Sequence, residues 1–398
     1  MKSQSARTLS LILICFLLAG CRVSNHESSK KSAGTERITD QDGSIEDISK
    51  IEQIFIDEYS KQNDHLKCVG KIIEKLGDSG FVAIDNENRV DMTNADFMMQ
   101  FISSMESGEH AKISVLQIFY TGGLNYVDIT TDKGNVGVEQ TYFTFQDNQL
   151  IQTAHSEFTA DHCEYTDEGY LLIGGSRYSP ELYVLTMSEE EEHIALRVEP
   201  LDEQCRRFCE KYMAPISYNL NNMFITSWAE DDFADLDFYD VFERFYKETY
   251  GKICPYTMND DLSEGNEYEI PANEFEDVIM QHIRVSPEKL HMLLRYDADK
   301  ECYIYRPRGF HEFDYAEVPY PEVAAYERNV DGSVTLTVNA VYPNGNTSKL
   351  FSHKVTVVDE NGRIYYLSNE LFGDKELDLW WHADRLSDEE WNEYYKGD

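Results

Sequence analysis

The sequence predicts an α+β protein of two domains, each with helices followed by an antiparallel β-meander sheet. Two patterns carry this prediction. Apolar residues recur at helical spacing early in each half of the chain, and short runs of β-branched and aromatic residues, separated by turn signals, follow them. The hydrophobic fraction is 41%, which is ample for folded cores. A chain of 398 residues is longer than one core usually serves, so we expect two domains.

The start of the chain has the three regions of a secretory signal peptide. Lys2 and Arg7 precede an apolar run from Leu9 to Leu18, which only Ser10 interrupts, and a polar segment follows. A helix that spans a membrane needs roughly 20 apolar residues, and this run is too short for that. We therefore expect a signal peptide here and not a transmembrane helix.

The apolar run ends in Leu18-Ala19-Gly20-Cys21. Small residues directly before a cysteine resemble the lipobox of bacterial lipoproteins. This resemblance implies cleavage between Gly20 and Cys21, lipidation of Cys21, and a place at the extracytoplasmic face of the cell membrane. An ordinary cleavable signal is the alternative. We assign residues 1–20 to the signal peptide and the polar residues 21–44 to a flexible tether.

Residues 45–260 form the first predicted domain. Apolar residues between Ile48 and Leu76 keep helical spacing, which fits one long helix or two, and Thr93 is placed to cap a further helix. From residue 113 to 198, short runs of Val, Ile, Tyr, Phe and Thr alternate with turn signals, which predicts an antiparallel meander. The charge run at 189–192 is expected to be a solvated loop between strands.

Residues 261–398 form the second predicted domain, after an acidic, turn-rich boundary. Helices are expected after Pro271 and after Ser286, and a strand is expected to follow the turn signal Asp331-Gly332. Ser387 begins a capping box, which predicts a short helix near the end of the chain. Both halves thus follow the same plan of helices and then a sheet.

The C-terminal half also resembles uncharacterised predicted lipoproteins of Gram-positive bacteria. The similar stretch runs from Ile270-Pro271-Ala272-Asn273-Glu274-Phe275-Glu276 through the hairpins to Tyr366-Leu367-Ser368-Asn369. It contains no catalytic signature, and such families have no assigned reaction. The resemblance therefore implies a location only.

The chain is strongly acidic, with 74 Asp and Glu residues against 35 Lys and Arg residues and a formal net charge of −39. Such a surface repels phosphate backbones and anionic lipid headgroups. We therefore expect no nucleic-acid partner, and a contact with the membrane through the lipid alone. Disulfides are permitted outside the cytoplasm, but spacing predicts no pairing among the cysteines that follow Cys21. These cysteines are Cys68, Cys163, Cys205, Cys209, Cys254 and Cys302.

Two residue sets have the chemistry of metal ligands, and for both we favour a structural role. The acidic cluster could bind Ca²⁺, but its position at a helix start also stabilises the helix dipole without metal. It consists of Asp231, Asp232, Asp235, Asp237 and Asp240. Cys205 and Cys209 could form half of a zinc site with His282, His291 or His311, but they coincide with an apolar stripe. We predict no metal and no cofactor, and a hairpin turn at 297–301.

Two further groups bear on activity. His311, Glu312 and Asp314 lie beside Arg306 and Arg308, and a carboxylate pair there could act on a sugar. Near the end of the chain, an aromatic segment is either a binding platform or a set of rings that pack on the second domain. It contains Trp380, Trp381 and His382.

No nucleophile elbow, phosphate loop, zincin helix or dinucleotide fingerprint occurs in the sequence of the predicted domains, so no catalytic residue is assigned. The sequence favours a membrane-anchored extracytoplasmic lipoprotein that binds a ligand or a protein. The alternative is a cell-envelope hydrolase that uses acidic residues.

Overall fold

The computed structural model defines an α+β fold with several antiparallel sheets, which confirms the predicted fold class. Gly20 and Cys21, with the remaining predicted signal peptide and tether, lie outside the described residues. No helix in the described part of the chain is long and apolar enough to cross a membrane. The structure describes residues 45–59, 65–87, 89–177, 191–233, 235–256, 265–307, 318–372, 382 and 384–396.

Short helices are distributed along the described chain. They are α1 (Ile45–Tyr59), α2 (His65–Asp78), α3 (Ala95–Glu106), α4 (Glu203–Phe208), α5 (Phe238–Tyr250), α6 (Ala272–Met280), α7 (Pro287–Leu293) and α8 (Asp388–Trp391). Single π-helical turns continue α4 and α8, at Cys209–Met213 and Asn392–Lys396.

The described strands form four sheets. The first is β1 (Val82–Asp85), β2 (Ala111–Ile118), β3 (Leu124–Asp132), β4 (Asn135–Gln146) and β5 (Gln149–Thr159), in that order. The second is β6 (His162–Tyr165), β7 (Tyr170–Ser176) and β8 (Glu191–Arg197). Strands β9 (Trp228–Ala229), β10 (Tyr268–Pro271), β11 (Tyr296–Asp297) and β12 (Cys302–Tyr305) come next along the chain, followed by β13 (Tyr320–Arg328), β14 (Val334–Val341), β15 (Ser352–Glu360) and β16 (Arg363–Leu371). The third sheet has the order β10-β12-β11, and the fourth has the order β13-β14-β15-β16-β9.

Two local predictions are wrong. Glu191 and Glu192 belong to strand β8, where they pair with Ser176 and Gly175, whereas residues 189 and 190 lie outside the described residues. Glu192 can occupy a strand because its carboxylate pairs with Arg177 and accepts from Gln140 at 3.0 Å. The cap position of α3 is held by Asn94 in a left-handed conformation, and the hydroxyl of Thr93 accepts instead from the backbone N–H of Ala83 at 3.0 Å. Thr93 therefore stabilises β1 and not the helix.

Three helix-end signals are confirmed. Ser387 and Glu390 form the predicted capping box at α8. The side chain of Ser286 accepts from the backbone of Lys289 at the start of α7. Gly251 ends α5 in the left-handed conformation that glycine adopts without steric cost.

Both faces of the first sheet are largely covered, and the alternation along β2 shows how. Val115 points into a core with α3 and the second sheet, whereas Leu116 points into a core with α1 and α2. Successive side chains of a strand point to opposite faces, so one apolar strand supplies both cores.

The second sheet is a middle layer. Leu171 and Ile173 of β7 pack into the core of the first sheet, whereas Tyr170 and Leu172 face Val341 at the end of β14. Every one of these side chains is buried. Strand β7 therefore joins the first sheet to the fourth.

The largest core joins α4, α5 and α6 to the third and fourth sheets. Phe242 of α5 stacks on Phe275 of α6 with ring centroids 4.8 Å apart, and β9 pairs with β16. Elements on both sides of the predicted boundary at 260 and 261 thus share one core. The turn-rich residues 257–264 on which that boundary was placed lie outside the described residues.

Candidate functional site

A cavity of about 840 Å³ lies between the loop that follows β1, the helix α4 with its π turn, and the start of β13. Its apolar walls include Val90, Leu201, Val318 and Tyr342. Separate parts of the chain therefore build this one cavity, and hydrogen bonds hold the loop and the helix in place.

The buried carboxylate of Asp85 holds the loop that follows β1. It accepts backbone N–H groups from Glu87 at 3.0 Å, Arg89 at 2.9 Å and Val90 at 2.7 Å. Burial raises the pKa of Asp85, and these N–H donors oppose that shift because they stabilise the charged form. The Arg89 guanidinium lies 5.3 Å from the ring centre of Tyr120, which also lines the cavity.

The second wall is α4, whose first turn is capped by Asp202. The Asp202 carboxylate accepts from the backbone N–H groups of Gln204 at 2.9 Å and Cys205 at 3.0 Å. The π turn that follows places the thiol of Cys209 3.0 Å from the carbonyl oxygen of Pro321, to which it donates. Burial raises the pKa of Cys209 to about 12, so the thiol stays protonated and serves as a donor, not a nucleophile.

Asp91 joins these two walls. Its Oδ1 atom accepts the backbone N–H of Leu201 at 3.1 Å and forms an ion pair with Arg206 of α4. Because Leu201 and Arg206 both line the cavity, this one carboxylate sets the distance between the loop and the helix.

Glu322 of β13 supplies a buried charge to the cavity, and its side chain is 7% exposed. Its Oε2 atom lies 2.9 Å from Arg197 Nε and also accepts the hydroxyl of Tyr170. The hydroxyl of Tyr320 lies 3.4 Å from that of Tyr170. Burial raises the pKa of Glu322, and Arg197 opposes the shift by stabilising the carboxylate.

The arrangement suits binding. Its volume falls within the roughly 300–1,000 Å³ that small-molecule sites have, and it combines apolar walls with few charged groups. Among the residues that the structure describes, no group of three or more His, Cys, Asp or Glu side chains is placed to hold a metal ion.

Comparison with known proteins identifies the family. A family model matches residues 38–385. The chain belongs to DUF6070, a family of unknown function. No curated protein and no solved structure matches the chain of this DUF6070 protein.

In this DUF6070 chain, two residues of the acidic cluster predicted at the start of α5 contact an arginine. Arg385 lies 2.8 Å from Asp237, 2.5 Å from Asp240 and 3.0 Å from Glu243. Asp237 also caps α5 through the N–H of Tyr239 at 2.8 Å, which confirms the helix-start interpretation for this residue. Asp231, Asp232 and Asp235 are exposed.

Among the described residues, Cys205 and Cys209 form no metal-binding group of three or more side chains with the histidines proposed for zinc. His282 stacks on Phe245 at 3.8 Å between ring centres, and His291 lies 2.9 Å from Glu276. His311 lies outside the described residues. The cysteines of the described chain are all free, namely Cys68, Cys163, Cys205, Cys209, Cys254 and Cys302.

The turn at 297–301 is confirmed. The Asp297 carboxylate accepts from the backbone of Asp299 at 3.0 Å and of Lys300 at 3.1 Å, and strands β11 and β12 flank it. This local bonding is that of an Asx turn.

The remaining candidates are only partly described. Arg306 pairs with Glu267 and Asp388, and its guanidinium lies 4.9 Å from the ring centre of Trp391, which is buried. The His382 ring lies 3.8 Å from Asp384. The candidates outside the described residues are Arg308, Glu312, Asp314, Trp380 and Trp381.

Sequence reasoning missed the cavity because no wall carries a known motif. One signal was present. Glu322 interrupts the apolar run between Val318 and Ala325, and a charge inside such a run requires a buried partner. That partner, Arg197, comes from another sheet.

Proposed function

We propose that this protein is a lipid-anchored extracytoplasmic binding protein that holds a small ligand in the cavity beside α4. The cavity of about 840 Å³ carries the binding part of the proposal, because its size and mixed lining match those of small-molecule sites. Asp85, Asp91 and Cys209 fix its walls through hydrogen bonds. A pre-formed site of this kind loses little entropy when a ligand enters.

The anchoring part of the proposal is supported by Leu18-Ala19-Gly20-Cys21 and the polar residues 21–44 that follow. A lipid with two acyl chains at Cys21 would hold the acidic body at the membrane without a basic surface, since one chain alone binds only weakly.

Metabolic labelling with a clickable fatty acid tests the anchor. We expect the expressed full-length protein to be labelled, and Cys21→Ala to be unlabelled and released from the membrane. An unlabelled parent protein contradicts the anchor. The binding proposal is independent of this result.

A cavity-blocking variant tests binding. Val318 lines the cavity, and Val318→Trp fills part of it. We expect ligands found by a calorimetric screen of the full-length chain to be lost in this variant, with thermal unfolding as the check on folding. Ile253 is exposed and does not line the cavity, so Ile253→Trp is the matched control. Equal affinity for both variants would place the binding site elsewhere.

Three of the four carboxylates that line the cavity are ion-paired, which favours binding over hydrolysis. Glu87 pairs with Arg89, Glu203 pairs with Arg207, and Glu322 is held by Arg197. A general acid or base in a glycosidase has to exchange protons with substrate, and ion pairing opposes this exchange.

A further inference from the structure

The arginines of the cavity are already neutralised by carboxylates. Arg89 pairs with Glu87, Arg206 with Asp91, and Arg207 with Glu203. A ligand anion would therefore have to displace a carboxylate from one of these pairs.

One carboxylate oxygen of Glu322 can still accept a hydrogen bond. Its Oε2 atom takes both the Arg197 guanidinium and the Tyr170 hydroxyl, whereas Oε1 accepts no hydrogen bond from the described residues. A carboxylate oxygen can accept two hydrogen bonds, so Oε1 has room for a donor from a ligand. The side chain is 93% buried, so bulk water reaches it little, and the cavity is where a donor can come from.

A second carboxylate that lines the cavity, that of Glu210, adds negative charge to it. Glu210 is exposed at the cavity and has no basic partner in the part of the chain that the structure describes. The chain as a whole has a formal net charge of −39, which raises the local concentration of cations. The carboxylates of Glu210 and Glu322 and the net charge of the chain therefore favour a positive ligand.

We propose that the cavity binds an organic cation, a primary amine or guanidinium on an apolar body, whose N–H group donates to Glu322 Oε1. The apolar part lies against Val90, Val318 and Tyr342, which line the cavity. The inference rests on the proposed function and adds the chemical class of its ligand.

Three probes of equal length separate charge from shape. They are 4-phenylbutylamine, 4-phenylbutanol and 4-phenylbutanoate, titrated into the full-length chain by calorimetry. We expect the amine to bind about tenfold more tightly than the alcohol, because a hydrogen bond between charged groups is stronger than a neutral one, and the acid to bind least. Equal or tighter binding of the alcohol or the acid overturns the class but leaves the proposed function in place. Failure of all three to bind contradicts the inference, whereas the proposed function is tested separately by the calorimetric screen and the Val318→Trp variant.

A fourth probe tests the hydrogen bond without changing the protein. The trimethylammonium analogue of 4-phenylbutylamine keeps the positive charge but has no N–H group. We expect about a tenfold loss of affinity relative to the amine. Equal affinity would show that Glu322 Oε1 receives no donor and would overturn this contact.

Two variants locate the effect. Glu322→Gln removes the charge, and we expect the preference for amine over alcohol to disappear. Tyr170→Phe is the matched control, because it removes a donor from Oε2 but keeps the carboxylate, and we expect the preference to persist. If a folded Glu322→Gln protein still prefers the amine to the alcohol, Glu322 is not the residue that binds the cation. If that variant does not fold, the amine and trimethylammonium comparison in the parent protein decides.

Discussion

His353 is a fully buried histidine in the fourth sheet. Its Nε2 atom lies 2.8 Å from the Tyr218 hydroxyl, and its Nδ1 atom lies 2.6 Å from Asn369 Oδ1. Burial lowers the pKa of His353 from 6.5 to about 4, and the Asn369 contact opposes the shift only in part. The imidazole is therefore neutral in the folded protein and bridges two polar groups of the core.

This histidine makes stability depend on pH. Its folded pKa lies below its unfolded pKa, so its contribution is present above pH 6.5 and is lost as pH falls toward about 4. We expect the parent protein to lose about 2 kcal/mol of unfolding free energy through His353 between about pH 7 and pH 5.

Urea unfolding of the parent protein and of His353→Gln at both pH values measures this contribution. The variant is expected to be less stable at neutral pH and to lose less on acidification. His282, whose pKa is also lowered to about 4, is present in both proteins and cancels in the comparison. An equal loss in the two proteins would contradict the assignment to His353.

At the scale of elements, α5 depends on a residue far along the chain. Asp237, Asp240 and Glu243 lie along one side of this helix and meet the guanidinium of Arg385, which also donates to the carbonyl of Arg306 at 2.8 Å. Asp240 is almost fully buried. Without Arg385, these carboxylates would repel one another in a site with little water.

We expect Arg385→Ala to lower the free energy of unfolding by about 3–5 kcal/mol, the usual loss when one partner of a buried ion pair is removed. The matched control is Arg207→Ala, which breaks an exposed pair with Glu203 and should change stability by less than about 1 kcal/mol. Urea unfolding at neutral pH measures both. Similar losses in the two variants would show that the Arg385 ion pairs stabilise the protein no more than an exposed pair does.

The loop that follows β1 has a comparable dependence on one residue. Asp85→Asn keeps the shape of the side chain but replaces one acceptor oxygen with an amide donor, so it cannot accept the backbone N–H groups of Glu87, Arg89 and Val90 together. We expect faster hydrogen exchange at these three amides and weaker binding in the cavity. Unchanged exchange would contradict the role of Asp85 as the support of this wall.

Local elements could be predicted where the determining contacts are close in sequence. Ser387 and Glu390 lie within one turn of each other, and their capping box was predictable from spacing alone. Thr93 had the right residue type for a cap, but its hydroxyl accepts the backbone N–H of Ala83, which is ten residues earlier. Arg385 could not be predicted as the partner of Asp240, since 145 residues separate them.

At the scale of the whole molecule, the net charge of −39 opposes compaction. Salt screens this repulsion over about 10 Å at 0.1 M. We expect the unfolding temperature to rise when NaCl is increased from about 0.02 M to about 0.3 M. An added neutral solute of equal osmolarity serves as the control. A lower unfolding temperature in salt would mean that screened ion pairs outweigh the net repulsion.

The cavity could not be predicted from sequence patterns. Helical spacing and turn signals predict the α+β class because they depend on neighbours within a few residues. The walls of the cavity, by contrast, come from the segments near Asp85, Arg206 and Glu322, and they meet only through the packing of separate sheets. No local pattern specifies such a meeting.

The middle position of strand β7 constrains how this family can vary. An inserted or deleted residue within Tyr170–Ser176 would turn Leu171 and Ile173 away from one core and Tyr170 and Leu172 away from the other. Insertions and deletions among relatives should therefore occur in the loops before and after β7. The strand itself should keep a constant number of residues.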